Sequence, residues 1–327
     1  MYLVQSGSYR RVARPAAWLI IAAAVTVGCL SEAVRAAAEM KPFVLASTSK
    51  DNFAETAKKV KTAVAEQGFE IVGEYSPYPD AQILVVTNDE LKKAAASHDR
   101  AGYVAPQRIS ITKVGDEITR AGDQVQVAYT NPQYMAAAYR VDADLSGVAD
   151  ALEAALGVET AFGSEKGLSA KKLAKYHYTF GMEYFDEPTV LASYDSFAAA
   201  VAVVEENLAM KKAGVSKVYS IFIPDTEQAV FGVSMKADAE AGNKYMDEAF
   251  IMREIDFEPV RSTPHLPYEI LVKGGDVEAL HGRFRIAMNF PDLSMMGSNS
   301  FMNIMPSPDA IAEALTRVAG GEIDLEL

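Results

Sequence analysis

Cysteine and tryptophan are almost absent from this chain of 327 residues. The one cysteine is Cys29 and the one tryptophan is Trp18, so residues 39–327 contain neither. A segment without cysteine cannot form disulfides, zinc–thiolate sites, iron–sulfur clusters or a cysteine nucleophile. The sequence therefore predicts a folded part that is held together by packing, and we expect no cofactor.

The motifs of well-known catalytic sites are also missing. The four histidines do not stand in the spacing of zinc hydrolases, and there is no Gly-x-Ser-x-Gly, phosphate-binding loop or dinucleotide fingerprint. Ser-x-x-Lys occurs at Ser47 and Ser169, but the companion motifs of penicillin-binding enzymes stand in the wrong order. These absences favour a non-catalytic protein, with an unrecognised hydrolase as an alternative.

Basic residues are scarce after residue 38. Residues 39–327 carry 27 lysines and arginines against 43 aspartates and glutamates. Such a surface repels phosphate backbones and anionic lipid. We therefore expect no nucleic-acid partner, and an unknown small molecule or protein as the partner instead.

Residues 1–38 have the pattern of an export signal. Arg10, Arg11 and Arg14 precede an apolar run of 15 residues, 16–30, and three alanines close the segment. The run is shorter than the roughly 20 residues that a transmembrane helix needs, and no later run approaches that length. The sequence predicts a signal peptide and a periplasmic mature protein without a transmembrane span.

The end of this apolar run offers a second kind of processing. Thr26-Val27-Gly28-Cys29 resembles the lipobox of bacterial lipoproteins, with Thr26 where leucine is usual. The resemblance implies lipidation of Cys29 and a lipid anchor that holds the protein on a membrane surface, as an alternative to simple export.

A repeat organises the rest of the chain. Val-Leu-Ala-Ser occurs at residues 44–47 and again at 190–193, and a proline-led strand and an asparagine follow each copy. The landmarks are Val44, Pro106 and Asn131 in the first copy, and Val190, Pro267 and Asn289 in the second. The pattern predicts two tandem α+β units, residues 39–160 and 189–323, joined by a linker and bridging strand at 161–188 and followed by a tail at 324–327.

Periodicity and capping signals predict the elements of each unit. The predicted strands are 43–47, 69–75, 82–86, 107–114, 124–129, 176–180, 218–223, 228–235, 267–273 and 282–288. The predicted helices are 51–67, 88–98, 145–156 and 197–212, with further helices starting at Asn131-Pro132 and Ser307-Pro308. Residues 236–264 look like an insertion in the second unit.

The first unit resembles the domain of unknown function 302 family. The residues that carry the resemblance are Gly68-Phe69, the run from Tyr103 through Pro106 to Ile111, and Val125 to Asn131-Pro132. The resemblance implies a TBP-like α+β fold, in which a curved antiparallel sheet has helices on one face. The second copy departs from the family pattern because Phe290 separates Asn289 from Pro291. Because this family has no settled activity, the resemblance implies no particular function.

Aromatic residues suggest a place for a ligand. They crowd the segment between the two units, where they would line an apolar cleft or pack the units together. The candidate cleft residues are Tyr176, Tyr178, Phe180, Tyr184, Asn131 and Tyr134.

Methionine suggests a different chemistry. Five of the thirteen methionines lie within residues 288–305, and thioethers are soft ligands that suit Cu(I). The candidate metal ligands are Met295, Met296, Met302, Met305 and His281. The alternative is that these flexible side chains fill an irregular core.

These observations favour an exported, non-catalytic binding or accessory protein whose ligand the sequence does not identify. Copper-type metal handling through the methionine-rich segment is the first alternative, and an unrecognised hydrolase is the second.

Overall fold

The computed structural model describes residues 1–2, 39–115, 123–237 and 243–323. The described residues from 39 to 323 form one compact unit. The predicted signal peptide, the lipidation site at Cys29 and the predicted tail lie outside the described residues, apart from Met1 and Tyr2. Among the described residues, no helix has the length and apolar character that crossing a membrane requires.

The N-terminal half of the compact unit alternates strands and helices. Its strands are β1 (Glu39–Met40), β2 (Phe43–Ser49), β3 (Glu70–Tyr75), β4 (Ala81–Thr87), β5 (Gln107–Val114), β6 (Gln124–Thr130), β7 (Thr160–Phe162) and β8 (Leu168–Ser169). Its helices are α1 (Phe53–Glu66), α2 (Asp89–Ala95), α3 (Pro132–Ala138), α4 (Ser146–Leu156) and α5 (Ala170–Leu173).

The C-terminal half has a similar mixture of elements. Its strands are β9 (Thr189–Ser193), β10 (Val215–Ile223), β11 (Gln228–Met235), β12 (Tyr268–Lys273) and β13 (Asp276–Ala279). Its helices are α6 (Phe197–Ala209), α7 (Glu248–Ile255), α8 (Gly282–Asn289) and α9 (Ser307–Ala319). The chain is therefore of the α+β class, as the sequence predicts.

The strands form two main antiparallel sheets within the described residues. The order in the first sheet is β3-β4-β5-β6-β2-β7, and the order in the second is β10-β11-β12-β13-β9. Strands β1 and β8 make a separate antiparallel pair. Helices α1 and α4 pack on the first sheet, and α6 and α9 pack on the second.

Each sheet is also covered by a segment from the other half. The connection between β4 and β5, with a 3₁₀ turn at Ala101–Val104, packs on the second sheet. The connection between β11 and β12, with a 3₁₀ turn at Thr263–His265, packs on the first sheet. Strand β5 is consequently buried at all but one of its positions, because both faces of its sheet are covered.

Helix starts follow the capping signals of the sequence. Asn131 precedes α3, its side-chain oxygen accepts hydrogen bonds from the backbone N–H groups of Gln133 and Tyr134, and Pro132 occupies the first turn. Asparagine satisfies N–H groups that have no partner inside a helix, and proline has no N–H to satisfy there. The predicted helix at Asn131-Pro132 is confirmed for this reason.

One predicted strand is wrong. Residues 282–288 form most of helix α8, and the last strand of the sheet is instead Asp276–Ala279. That short strand pairs with both β12 and β9, which completes the sheet before the chain reaches His281, the N-cap of α8. The helix is buried at almost every position, so its apolar residues do not show the helical period.

The predicted equivalence of Asn289 with Asn131 is also wrong, because residues 282–289 form a helix. Asn131 caps the start of a helix, whereas Asn289 is the last residue of α8. His281 holds the position before that helix. The predicted bridging strand at 176–180 is also not formed, since these residues lie in turns and irregular chain.

Candidate functional site

A buried ion cluster joins the two sheets at their centre. Nη1 of Arg108 on β5 lies 2.6 Å from Oε1 of Glu269 on β12, and both side chains are 1 % exposed. Nη2 of Arg285 on α8 lies 3.2 Å from Oε2 of Glu269. Charges removed from water at this depth must be paired, so the cluster fixes the two sheets against each other.

Backbone carbonyls from the covering segment complete this cluster. The Nε–H of Arg108 donates to the carbonyl oxygen of Pro264 at 2.9 Å, and Nη2 of Arg285 donates to those of His265 and Pro267 at 2.7 Å each. Burial, together with Arg285 and Arg108, lowers the pKa of His265 well below its ordinary value. His265 is therefore a neutral, packed side chain in this cluster, without access to solvent.

A cleft of about 520 Å³ lies beside the cluster, between the edge of the first sheet and the segment that follows α7. Lys41 and residues 162–165 form one wall, residues 255–262 form another, and residues 290–293 contribute the rest. We call this feature the intersheet cleft. Its volume is in the range of small-molecule sites in proteins.

Asp256 is the buried titratable group of the cleft. It is 8 % exposed, and its Oδ1 accepts a hydrogen bond from the backbone N–H of Ser262 at 2.8 Å. Its Oδ2 has no hydrogen-bond partner among the residues that the structure describes. The pKa of this carboxyl is raised to about 7, mainly by burial and to a smaller extent by Glu258, although the Ser262 N–H and Arg261 act in the opposite direction.

The rest of the polar lining is mainly acidic. Glu165, Glu258 and Asp292 line the cleft together with Asp256, and Lys41 is the one basic residue of the lining in the described part of the chain. The backbone N–H of Glu165 donates to Oδ2 of Asp292 at 2.6 Å, which ties the walls from the two halves together.

Apolar side chains form the remaining surface of the cleft. Phe162 stacks on Phe43 with ring centroids 5.5 Å apart, and Phe290 packs edge-on against His265 at 5.2 Å. Both rings are therefore held by core residues. The lining combines fixed aromatic surface with carboxylates, an arrangement that can hold a small molecule with an apolar body and a polar or charged end.

The aromatic residues proposed from the sequence lie beside the cleft rather than in its lining. Tyr134, Tyr176 and Tyr178 each donate a hydroxyl hydrogen bond to a backbone carbonyl in or near α8: to Met288 at 2.7 Å, to Ala287 at 3.0 Å and to Leu293 at 2.9 Å. Leu293 itself lines the cleft. These tyrosines therefore position one wall of the cleft.

The other proposed cleft residues have different surroundings. Phe180 is 99 % exposed, and Tyr184 packs on the ring of His177 with centroids 4.3 Å apart. Asn131 acts as the cap of α3 and also donates its side-chain N–H to the carbonyl of Lys41 at 3.1 Å. Through Lys41, Asn131 contacts the backbone of a cleft residue.

The methionine-rich segment divides into buried and exposed members. Met288 is fully buried, whereas Met295, Met296, Met302 and Met305 are between 38 % and 73 % exposed. Nδ1 of His281 accepts the N–H of Arg283 at 3.3 Å and lies 3.3 Å from Glu183. Among the described residues, no group of three or more histidine, cysteine, aspartate or glutamate side chains is arranged to hold a metal ion.

A second depression, of about 410 Å³, lies between α9 and the turn at Lys211–Gly214. Its charged residues include Glu313 and Arg317, which pair with each other at 2.7 Å on the surface of α9. None of the described residues that line it is a buried titratable group with an unpartnered atom, so the intersheet cleft is the stronger candidate.

Asp256 is the residue that the sequence did not reveal. It lies in the segment 236–264, which looks like an insertion, and no motif surrounds it. Folding places this segment on the first sheet, where Gln126 contacts it through Pro259 at 3.0 Å and Arg261 at 3.1 Å. No local pattern marks this residue, because Ile255 and Phe257 beside it are apolar but Glu254 and Glu258 stand next to them.

The fold and the site define an α+β protein with two packed antiparallel sheets and an acidic, partly aromatic cleft at the edge of the first sheet. Comparison with known families matches residues 45–157 to the family model described as Domain of unknown function DUF302. The match runs from β2 to the end of α4 and confirms the predicted domain family for this part of the chain. No curated protein and no solved structure matched the chain.

Proposed function

We propose that this protein is an exported binding protein that holds a small ligand in the intersheet cleft and does not transform it. The observation that carries the proposal is Asp256: a buried carboxyl with an unpartnered oxygen, in the wall of a cleft of about 520 Å³. A buried polar atom without a partner is costly, so such an atom beside a cavity suggests a ligand group or water that completes it.

We also propose that the mature chain consists of two tandem copies of the DUF302 unit. The order β2-α1-β3-β4-β5-β6-α3-α4 in the first half parallels β9-α6-β10-β11-β12-β13-α8-α9 in the second, and the strand orders of the two sheets correspond. On this proposal, residues 236–264 are the counterpart of the connection between β4 and β5. The cleft then lies between two related units, where neither unit alone would provide it.

Native mass spectrometry of the protein purified from its own source tests the binding proposal. We expect a non-covalent organic adduct on the wild-type protein. The substitution Val260→Trp fills the cleft, because Val260 lines it, and should remove the adduct. Val190→Trp is the matched control, because Val190 is exposed on β9 outside the cleft lining.

The adduct should persist in Val190→Trp. A wild-type protein without any adduct, or an adduct that Val260→Trp retains, would contradict the proposal. The denatured mass from the same preparation tests export. We expect a chain that begins near Glu39, whereas a chain that begins at Cys29 with added acyl mass would place the protein on a membrane through a lipid anchor.

A second candidate function is the handling of a soft metal such as Cu(I). It is favoured by the exposure of four thioethers, Met295, Met296, Met302 and Met305, since exposed methionine sulfur is free to bind metal. Addition of Ag(I), a redox-stable substitute for Cu(I), should then give a defined metal adduct. Replacing the four methionines with leucine should abolish it.

A hydrolase remains the third candidate. A carboxyl that titrates near neutral pH can accept or donate a proton in catalysis, and Asp256 meets that requirement. An activity that depends on Asp256 and follows its titration would favour this function over simple binding.

A further inference from the structure

The charge around the intersheet cleft indicates what kind of ligand it accepts. Within the part of the chain that the structure describes, four carboxyl groups line the cleft, those of Glu165, Asp256, Glu258 and Asp292, against the single ammonium group of Lys41. Walls of low dielectric strengthen the potential of such a group of like charges inside a concave site. An anionic ligand would add a further negative charge to this lining.

The aromatic surface of the cleft requires an apolar part in the ligand. Phe162, Phe257 and Phe290 lie in the lining, with Leu293 and Val260 beside them. A small inorganic cation would leave this surface unused. In addition, no three or more His, Cys, Asp or Glu side chains among the described residues converge on one point where a metal ion could bind.

Asp256 provides the point at which a positive group is most favoured. Its Oδ1 is already bound by the N–H of Ser262, and its Oδ2 is unpartnered within the described residues. A donor that also carries a positive charge satisfies this oxygen and stabilises the ionised carboxylate, which burial otherwise disfavours.

We propose that the intersheet cleft binds an organic cation: a protonated amine carried on an apolar or aromatic body. The ammonium group pairs with Asp256, and the apolar body packs on the phenylalanine rings. This inference rests on the proposed binding function and adds the chemical class of the ligand. The positive charge of Lys41 weakens the attraction of the cleft for a cation, and the excess of carboxyl groups over this one ammonium group sets the preference for cationic over anionic ligands.

Three compounds of one shape test the charge preference: 3-phenylpropylamine, 3-phenylpropanol and 3-phenylpropionate. Isothermal titration calorimetry with the mature protein should give the amine at least about tenfold tighter binding than the alcohol, with the propionate weakest. Asp256→Asn should weaken the binding of the amine about tenfold, and it keeps the oxygen that accepts from Ser262. Lys41→Gln should strengthen the binding of the amine.

Glu206→Gln is the matched control, because it removes one negative charge from an exposed position of α6 outside the cleft lining. The affinity for the amine should stay unchanged in this variant. Thermal unfolding of each variant confirms that it is folded, and Glu258→Gln, at an exposed position, serves as a second test if Asp256→Asn does not fold.

The outcomes distinguish a failure of the binding function from a failure of the preference for a cation. If the alcohol or the propionate binds as tightly as the amine and Val260→Trp blocks that binding, the cleft is a binding site but the preference for a cation is refuted. If no compound binds and the native protein carries no adduct, the binding function fails together with the cation preference.

Discussion

Arg108 and Glu269 form an ion pair with 2.6 Å between Nη1 and Oε1, and each stands two residues after the proline that leads into its strand, Pro106 or Pro267. The two sheets are thus joined through corresponding positions of β5 and β12, one basic and one acidic. Both side chains are almost fully removed from solvent. The junction between the two sheets therefore contains a buried ion pair at corresponding positions of the two halves.

Breaking this pair should strongly destabilise the protein. Arg108→Met leaves the charge of Glu269 buried with only Arg285 to compensate it, and we expect the free energy of unfolding to fall by about 3–5 kcal/mol. The measurement is urea unfolding of the mature protein. Arg317→Gln, which breaks the exposed pair with Glu313, should cost less than about 1 kcal/mol.

The double variant Arg108→Met with Glu269→Gln tests whether the two side chains stabilise the protein as a pair. It removes both charges of the pair, so its loss of stability should be smaller than the sum of the two single losses. Additive losses would mean that the two side chains stabilise the protein independently of each other.

Asp256 should make stability depend on pH. The pKa of this carboxyl is raised from an ordinary value of 3.8 to about 7, so between these values the folded state binds a proton that the unfolded state has lost. The free energy of unfolding should therefore fall as pH rises from about 4 to about 7, and then level off. Asp256→Asn cannot ionise and should lack this component of the decline.

Unfolding experiments across pH 4 to 8 measure this effect. The stability of Asp256→Asn relative to wild type should rise over that range, by up to roughly 4 kcal/mol. Glu248, whose pKa burial also raises, acts alike in both proteins and cancels in the comparison. A constant difference between the two proteins would show that Asp256 is not held in the protonated form by burial.

The contact between strands β3 and β10 should tolerate only glycine at residue 73. A Cβ atom there would lie 2.7 Å from the carbonyl oxygen of Val218 and 2.9 Å from Cβ of Tyr219. Because the obstructing atoms belong to or adjoin the backbone, Gly73→Ala should lower the free energy of unfolding by about 1–3 kcal/mol. Differential scanning calorimetry would report this as a lower melting temperature.

Gly147→Ala is the control for this substitution. Its Cβ would meet only the carboxylate of Glu90, at 3.1 Å, which is the end of a flexible side chain. Alanine also favours the helix α4 in which Gly147 lies, so we expect no loss and a gain of up to about 1 kcal/mol. Equal losses at residues 73 and 147 would contradict a close contact between β3 and β10.

The exposed methionines should oxidise before the buried ones. Met296, Met302 and Met305 are 50–73 % exposed, whereas Met288 and Met135 are at most 1 % exposed. Oxidation of a thioether requires access to the oxidant. Peptide mapping after brief treatment with dilute peroxide should find sulfoxide first at residues 295–305. Early oxidation of Met288 would mean that α8 is not packed as described.

The sequence predicted most elements whose signals are local. Asn131-Pro132 starts a helix, and residues 228–235 form the predicted strand to the residue, because capping and alternation depend on near neighbours. The helix at residues 282–289 does not follow from the sequence pattern, because α8 is buried on nearly all sides and its apolar residues show no clear period. Local patterns carry no information about that kind of burial.

The candidate site was harder to predict because it depends on contacts between distant residues. Lys41, Glu165, Asp256 and Asp292 meet in one cleft although more than 200 residues separate the first from the last. The predicted cleft residues Tyr176 and Tyr178 lie beside this cleft, where their hydroxyl groups donate to the backbone carbonyls of Ala287 and Leu293. Neither the composition nor the spacing of residues in the sequence indicates the buried carboxyl of Asp256.

The most direct test of the central claim is a crystal structure of the mature protein purified from its own source. We predict electron density for an organic molecule in the intersheet cleft, with a donor group within hydrogen-bonding distance of Asp256 Oδ2 and its body against Phe290. A cleft that holds only water, with a ligand or metal ion bound at Met295–Met305 instead, would contradict the account.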